Sequence, residues 1–291
     1  MTAEVLASVL TIVRGRADHL RALMTGLSQQ SIPPCELVIA WMQAEKVEAL
    51  PVLSFPVRHV FVEGVDMPLA AARNRAAEAA SGTYLIFLDV DCIPSPTTVE
   101  AYAEALTQHD GIMLGEVHYL PGGLPTYTGN VAMLEKHGLV HPSKPTFPDI
   151  GVVEEPDSGQ LWGLSFALRR ATWTSLGGMD EAFYGYGGEE TDFARRASQA
   201  KLSTYRVGGA RAYHQHHTVY IPPLQHFDHI LRNARLYHAK HGIWCMDYWL
   251  GQFAARGLIE WTSVACEIRE LRRPDDRETV AARQPEHILF S

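Results

Sequence analysis

A chain of 291 residues, 46% of them hydrophobic, can bury a sizeable core and fits one large α/β domain, alone or with a helical appendix. Its formal net charge of -8 argues against non-specific nucleic-acid binding, and the one Lys/Arg cluster that stands out, Arg269, Arg272 and Arg273, reads as a solvated helix face. No apolar segment reaches the length of a membrane span, and Met1-Thr2-Ala3-Glu4 lacks a basic n-region, so neither a spanning helix nor a signal peptide is expected. Cys35, Cys92, Cys245 and Cys266 are scattered, with no C-x-x-C pair, and no Asn-x-Ser/Thr acceptor occurs. They read as reduced thiols of a cytoplasmic protein.

Val5 to Val13 is β-rich and apolar; Arg14-Gly15-Arg16-Ala17-Asp18 follows, and then Leu20, Leu23, Met24 and Leu27 recur at helical spacing. Pro33-Pro34 precedes a second strand, Glu36 to Trp41, and a third is predicted over Val57 to Val62. Asp66 and Pro68 predict the cap and first turn of a helix through Ala70 to Ala80, ended by Gly82. Alternating strands and helices imply right-handed crossovers and a mostly parallel sheet, with the ends of strands one and four on one rim.

That helix leads into Tyr84-Leu85-Ile86-Phe87-Leu88-Asp89-Val90-Asp91, an apolar run that stops at two carboxylates before Pro94. The run reads as a buried parallel strand, and residues i and i+2 share a face, so Asp89 and Asp91 are expected to point together into the crevice at the sheet's carboxyl edge. Two carboxylates this close repel unless a cation sits between them, and oxygen ligands suit Mg²⁺ or Mn²⁺ with a substrate diphosphate. Read alone, the pair also fits a solvated turn.

Farther on, Gly111 to Val117 predicts a strand, Pro121 to Pro156 an irregular loop over the site, Leu161 to Leu168 a strand, Arg170 to Leu176 a short helix and Ser203 to Val207 another strand. Beyond Ile221 the chain reads as helical with many aromatics, ending in a polar, frayed tail after Pro274. The most specific text is Gly177-Gly178-Met179-Asp180-Glu181-Ala182-Phe183-Tyr184-Gly185-Tyr186-Gly187-Gly188-Glu189-Glu190-Thr191-Asp192. Its glycines allow backbone to approach a ligand, and the acids open a helix whose dipole favours negative charge. Capping alone accounts for Glu189 and Asp192. A carboxylate facing a sugar hydroxyl would act as a general base, with the neighbouring aromatic a platform for a pyranose ring.

Taken together, Asp89-Val90-Asp91 after its strand and the Gly-Tyr-Gly-Gly-Glu-Glu-Thr-Asp text resemble family 2 glycosyltransferases of the GT-A fold. The second motif is similar to the carboxy-terminal galactosyltransferase motif of β-1,4-galactosyltransferases and bacterial chondroitin-type polymerases. The likeness spans about Val5 to His217. It implies a GT-A catalytic domain over 1–220, with a nucleotide-sugar-binding half (1–120) and an acceptor-binding half (121–220), and a helical extension over 221–291. It also implies an inverting sugar transfer from a nucleotide donor, UDP-linked, to a glycan or other hydroxyl acceptor, with Mn²⁺ or Mg²⁺. Donor-binding positions would be Arg73, Asn74, Asp89 and Asp91; metal ligands Asp89, Asp91 and His214, with His217 in reserve. Trp162, Gly163, Tyr186, Gly188 and Glu189 would bind substrate, and Glu190, second in the Gly-Gly-acid-acid string, would be the base. Two departures stand out: Glu190 replaces the usual Asp, and Ile39-Ala40-Trp41-Met42-Gln43 replaces the acidic strand end that reads the nucleotide base.

His141, His226, His229, His238 and His241 carry no comparable motif and are expected to pack or solvate. Tyr237, Trp244, Tyr248, Trp249, Phe253 and Trp261 suit packing on the catalytic domain, with a dimer contact or a peripheral contact at the membrane's inner face as the other roles open to them. Rival readings are a sugar nucleotidyltransferase of related fold and a non-catalytic glycan-binding domain.

Overall fold

The computed structural model describes residues 6–64 and 67–290. The elements run β1 (Ala7–Val13), α1 (Ala17–Leu27), β2 (Glu36–Trp41), β3 (Val57–Phe61), α2 (Leu69–Ala79), β4 (Tyr84–Leu88), β5 (Cys92–Pro94), α3 (Thr98–Gln108), β6 (Ile112–Tyr119), α4 (Val131–His137), β7 (Leu139–Val140) and β8 (Val152–Glu154). They continue with β9 (Ser165–Arg169), α5 (Arg170–Ser175), α6 (Glu189–Gln199), β10 (Thr204–His214), α7 (Phe227–His241), α8 (Asp247–Ala255), β11 (Ile259–Glu260), β12 (Arg269–Glu270) and α9 (Asp276–Ala282). Val5 and Asp66, expected to open the first strand and to cap the second helix, lie outside the described residues. Pro68 stands at the N-cap of α2 rather than in its first turn.

One sheet carries the strands in the order β3-β2-β1-β4-β9-β6-β10-β5, with β7 on β6 and β8 on β10. From β3 to β4 all pairs are parallel, as the strand–helix alternation requires; β6 and β10 are parallel too, whereas β9 lies antiparallel between β4 and β6. Every residue of β1 and β2 is buried because helices cover both faces. Ala7, Val9 and Val13 face the layer that holds Leu20, Leu23 and Tyr102, while Leu10 and Ile12 face the layer that holds Ala72, Ala76 and Phe193. Alternation along β1 therefore splits one strand between two cores.

Four expectations change. The 121–156 stretch is not structureless, since it contains α4, β7 and β8. The strand expected to stop at Val207 continues to His214 after a register shift between Val207 and Arg211, where Gly208 and Gly209 break the ladder, so Tyr213 and His214 lie on the strand itself. Arg269, Arg272 and Arg273 form no helix face: Arg269 lies on β12 and pairs with Glu260, and Arg272 pairs with Glu278. Finally, the tail is folded. Asp275 caps α9 in a reciprocal capping box with Glu278, Ala282 is buried, and the backbone of Gln284 donates to Val219 O at 2.9 Å.

The C-terminal helices pack against the loop that leads into α6, through Phe183 and Tyr186. Phe227, Ile230, Leu231, Leu250 and Phe253 form a third core against which Tyr186 and Trp249 rest. Among the described residues, no helix is long and apolar enough to cross a membrane.

Candidate active site

The carboxyl edge of the parallel strands supplies one wall. β4 ends at Leu88, and the Cys92 N–H donates to Asp89 O at 2.8 Å, closing Asp89-Val90-Asp91 into a turn. The shared strand face expected for the two acids is therefore replaced by a turn that sends them to different partners. Asp89 accepts from Arg73 Nη2 at 3.0 Å. Asp91 is buried, ion-paired to Arg16, and lies 3.6 Å from His214 Nε2 and 3.9 Å from His217 Nε2.

Three segments bring this second group together. Arg16 leaves β1 in a left-handed conformation after Gly15, whose N–H donates to Gln43 Oε1 at 2.6 Å. His214 ends β10 opposite Cys92 of β5, and the Gln215 N–H donates to Asp91 O at 2.7 Å, which holds the strand end against the turn. His217 follows three residues later, its ring 5.2 Å from that of His214. One ligand atom each from Asp91, His214 and His217 all lie within 4.8 Å of one another.

Electrostatics separate the members. Burial opposes the charge on Asp91, yet His214 and Arg16 more than offset it and hold the carboxyl at about 2. Burial lowers His214 to about 4 despite the pull of Asp91, and lowers His217 as well. An ionised carboxylate beside two neutral imidazoles is the protonation state a divalent cation requires. Burial pushes Asp89 up to about 6 against the attraction of Arg73.

The opposite wall is the start of α6. Gly188, at φ 98°, caps the helix where a Cβ would lie 3.2 Å from the Phe183 ring. From there the three acids diverge. Glu189 is buried and accepts from Arg73 Nη1 at 3.0 Å, so one buried guanidinium ties Asp89 to the α6 terminus. Asp192 is fully buried among Arg196, Lys240 and His241 at 2.8, 2.7 and 2.8 Å. Glu190 has no ion pair among the described residues, and burial, with Glu189 as a like-charged neighbour, raises its carboxyl well above the ordinary range. A raised carboxyl in a cleft suits proton abstraction.

The remaining expected positions divide. Gly163, at φ 76°, passes over the site, where a Cβ would meet Arg73 Nη2 at 3.2 Å and the Glu190 Cβ at 3.8 Å. Tyr186 is stacked on His226, the N-cap residue of α7, at 4.3 Å and tilted against Trp249 of α8 at 5.5 Å. Trp162 lies under Lys144, whose Nζ is 3.5 Å from the ring centroid. Asn74 is not gathered with the acids: it donates to Met179 O at 2.8 Å and accepts from Met179 N at 2.9 Å, holding the Gly177-Gly178 turn. Arg16 was passed over as a loop residue, and its signal is the Arg14-Gly15-Arg16 text directly after the first strand. His217, held in reserve for the metal, lies with His214 at the same carboxylate.

Architecture and site define a glycosyltransferase with the GT-A fold, and known proteins agree. The chain belongs to glycosyl transferase family 2, whose model matches residues 8–172, more than half of the chain; a model described as the N-terminal domain of galactosyltransferase matches residues 155–218. Among curated relatives, chondroitin synthase of Escherichia coli is 25% identical over 55% of this chain and 26% of its own length. Validoxylamine A glucosyltransferase of Streptomyces hygroscopicus subsp. jinggangensis is 28% identical over 48% of this chain and 37% of its own. The matches thus span about a quarter to a third of those proteins. Among solved structures, GalNAc-T7 with UDP, GalNAc and Mn²⁺ superposes with a TM-score of 0.59 at 16% identity, over 88% of this chain and 51% of that one. Residues 1–349 of Staphylococcus aureus TarS give 0.53 at 14% identity, over 87% and 72%.

Proposed function

We propose that this glycosyltransferase moves a sugar from a nucleoside diphosphate sugar, UDP-linked, to a hydroxyl of a glycan, with inversion and with a divalent cation. One observation carries the reading: the raised Glu190, without an ion pair among the described residues, stands on a wall that Arg73 joins to the Asp89-Val90-Asp91 turn, where Asp91 meets two neutral imidazoles. The donor set fits a cation. Asp91, His214 and His217 would hold it, and two imidazole nitrogens suit a first-row ion such as Mn²⁺ better than Mg²⁺. Bound there, it would stabilise negative charge on the departing nucleoside diphosphate.

The chain's own residues supply the rest. Arg16 is the cation that faces Asp91, on the loop after β1, and it can pair with phosphate oxygens instead. Arg73 pairs with Asp89 and Glu189 at once, which leaves Glu190 as the carboxylate to take the acceptor proton. Asn74 positions rather than binds, through the Met179 backbone. Gly163 leaves room for substrate between Arg73 and Glu190, Gly188 lets the loop close over the Phe183 ring, and Tyr186 and Trp162 would supply the rings for a pyranose. Inversion follows from a single displacement in which base and leaving group lie on opposite sides of the reacting carbon. UDP is favoured over other nucleotides by the UDP carried in two of the similar solved structures.

A panel of sugar nucleotides tests this: Mn²⁺-stimulated release of nucleoside diphosphate from a UDP-sugar, accelerated by oligosaccharide, is the expected result. Release of pyrophosphate from a nucleoside triphosphate, or no release from any donor, would overturn it.

A further inference from the structure

Beyond the cleft, one feature remains without a role in sugar transfer. After α9, the segment 283–290 leaves the C-terminal core and crosses to the rim that bears the histidines. Ile221 N donates to Ala282 O and Gln284 N donates to Val219 O, both at 2.9 Å, which zips its start to the chain just beyond His217. Gly122 N then donates to Glu286 O at 3.3 Å, and a Cβ at Gly122 would come within 2.9 Å of the Glu286 Cβ. Only a residue without a side chain lets the segment pass here.

The segment ends in a slot between two rings. Phe290 stands edge-on to Tyr119 at 5.0 Å and to His141 at 4.5 Å. Each of those rings has a second partner at the cleft: Tyr119 lies against His214 at 4.8 Å, and His141 is edge-on to Trp162 at 4.8 Å. Tyr119 and His141 also meet each other, tilted at 5.8 Å, so Phe290 closes a three-ring cluster that lies between the histidine beside Asp91 and the aromatic expected at the substrate.

We propose that 283–290 is a strap that braces the cleft, and that Phe290 is a positioning residue acting through Tyr119 on His214 and through His141 on Trp162. A brace fits better than a plug, because among the described residues no hydrogen bond, ion pair or ring contact joins 284–290 to Arg73, Asp89, Asp91, Tyr186, Glu189 or Glu190. Edge-to-face ring pairs also prefer defined geometry, so losing Phe290 removes the edge-on partner that Tyr119 and His141 share and leaves them only their looser 5.8 Å contact. The link to ligands rests on the function proposed above; the strap's packing does not.

Linkage supplies the test, since a strap that supports ligand binding must be supported by the ligand in equal measure. Titration calorimetry with UDP and Mn²⁺, and trypsin cleavage after the exposed Arg283, are measured on wild type, Phe290→Ala and Phe290→Tyr. Phe290→Ala should weaken UDP·Mn²⁺ binding about five- to twentyfold, a typical size for such coupling, and Phe290→Tyr should restore it to within about twofold. The ligand-free Tm of Phe290→Ala should stay within about 3 °C of wild type, which separates positioning from loss of fold. In wild type UDP·Mn²⁺ should slow cleavage at Arg283, and in Phe290→Ala much less. Wild-type affinity in Phe290→Ala, tighter binding, or cleavage indifferent to ligand would overturn the strap alone. Failure of wild type to bind UDP·Mn²⁺ would overturn the functional reading and the coupling with it.

Discussion

The two walls of the cleft hold the same kind of side chain under opposite regimes. On the α6 wall, Glu189 and Asp192 are buried and paired to fixed cations, Arg73 on one side and Arg196 and Lys240 on the other. On the strand wall, Asp91 meets two histidines that burial keeps neutral and one arginine on a loop, its side chain 37% exposed. Paired acids stiffen the structure, whereas an acid beside neutral ligands and an exchangeable arginine is ready to receive a cation and phosphate. Glu190 belongs to neither class, being half-buried and without an ion pair among the described residues, and for that reason it is the candidate for the base.

The largest expected break lies on the strand wall. Asp91→Asn removes the only charge among the three gathered ligands, so transfer and Mn²⁺-dependent UDP binding should be lost. Because the lowered Asp91 carboxyl also stabilises the fold at neutral pH, the ligand-free Tm should drop by a few degrees without loss of cooperative unfolding, and turnover at the wild-type rate, with and without EDTA, would contradict the assignment. The matching break on the α6 wall is structural. Asp192→Asn leaves Lys240 and Arg196 without their buried counter-charge, and breaking such a pair costs about 3 kcal/mol. Because the cations hold Asp192 below its ordinary value against burial, its stabilisation is present at neutral pH and fades as pH falls through the folded-state value. Urea unfolding should therefore show a gap between Asp192→Asn and wild type that narrows in acid.

A smaller effect sharpens the metal assignment. His217→Ala keeps Asp91 and His214, so Mn²⁺ should still activate but at a concentration raised about tenfold or more, read from an activity titration. Smallest, and opposite in sign to the usual penalty, is the stability of Glu190→Gln. A carboxyl raised by burial favours folding while protonated and loses that contribution as pH rises through its folded value. At pH 8 the Gln variant should melt at or above the wild-type Tm, with the difference gone near pH 4. A variant that melts lower at pH 8 would show that Glu190 is stabilising as an ion.

Much of this frame was legible because the physics was local. The apolar runs Ala7 to Val13, Glu36 to Trp41 and Tyr84 to Leu88 are buried strands, and the Ala-rich text from Ala70 is a helix delivering Arg73 to the cleft. The glycine text foretold a tight loop opening an acidic helix. What escaped depends on contacts distant in sequence. Nothing near Ser165 tells β9 to run antiparallel between β4 and β6, and nothing near Leu88 shows that the turn will part Asp89 from Asp91. Asn74 looked like a donor ligand until the Met179 backbone, 105 residues on, claimed both ends of its amide. The tail read as polar because its anchors, Val219, Gly122 and Tyr119, all lie elsewhere in the chain.

The central claim is that Glu190 takes the acceptor proton while the opposite wall holds the nucleotide. Transfer and UDP·Mn²⁺ affinity measured side by side for wild type and Glu190→Gln, across pH, test it most directly. The Gln variant should bind UDP·Mn²⁺ as wild type does and lose about 10²–10⁴-fold in transfer, and the wild-type rate should climb with pH through a value above the ordinary glutamate range. Transfer by Glu190→Gln within a few-fold of wild type, at unchanged nucleotide affinity, would contradict the account.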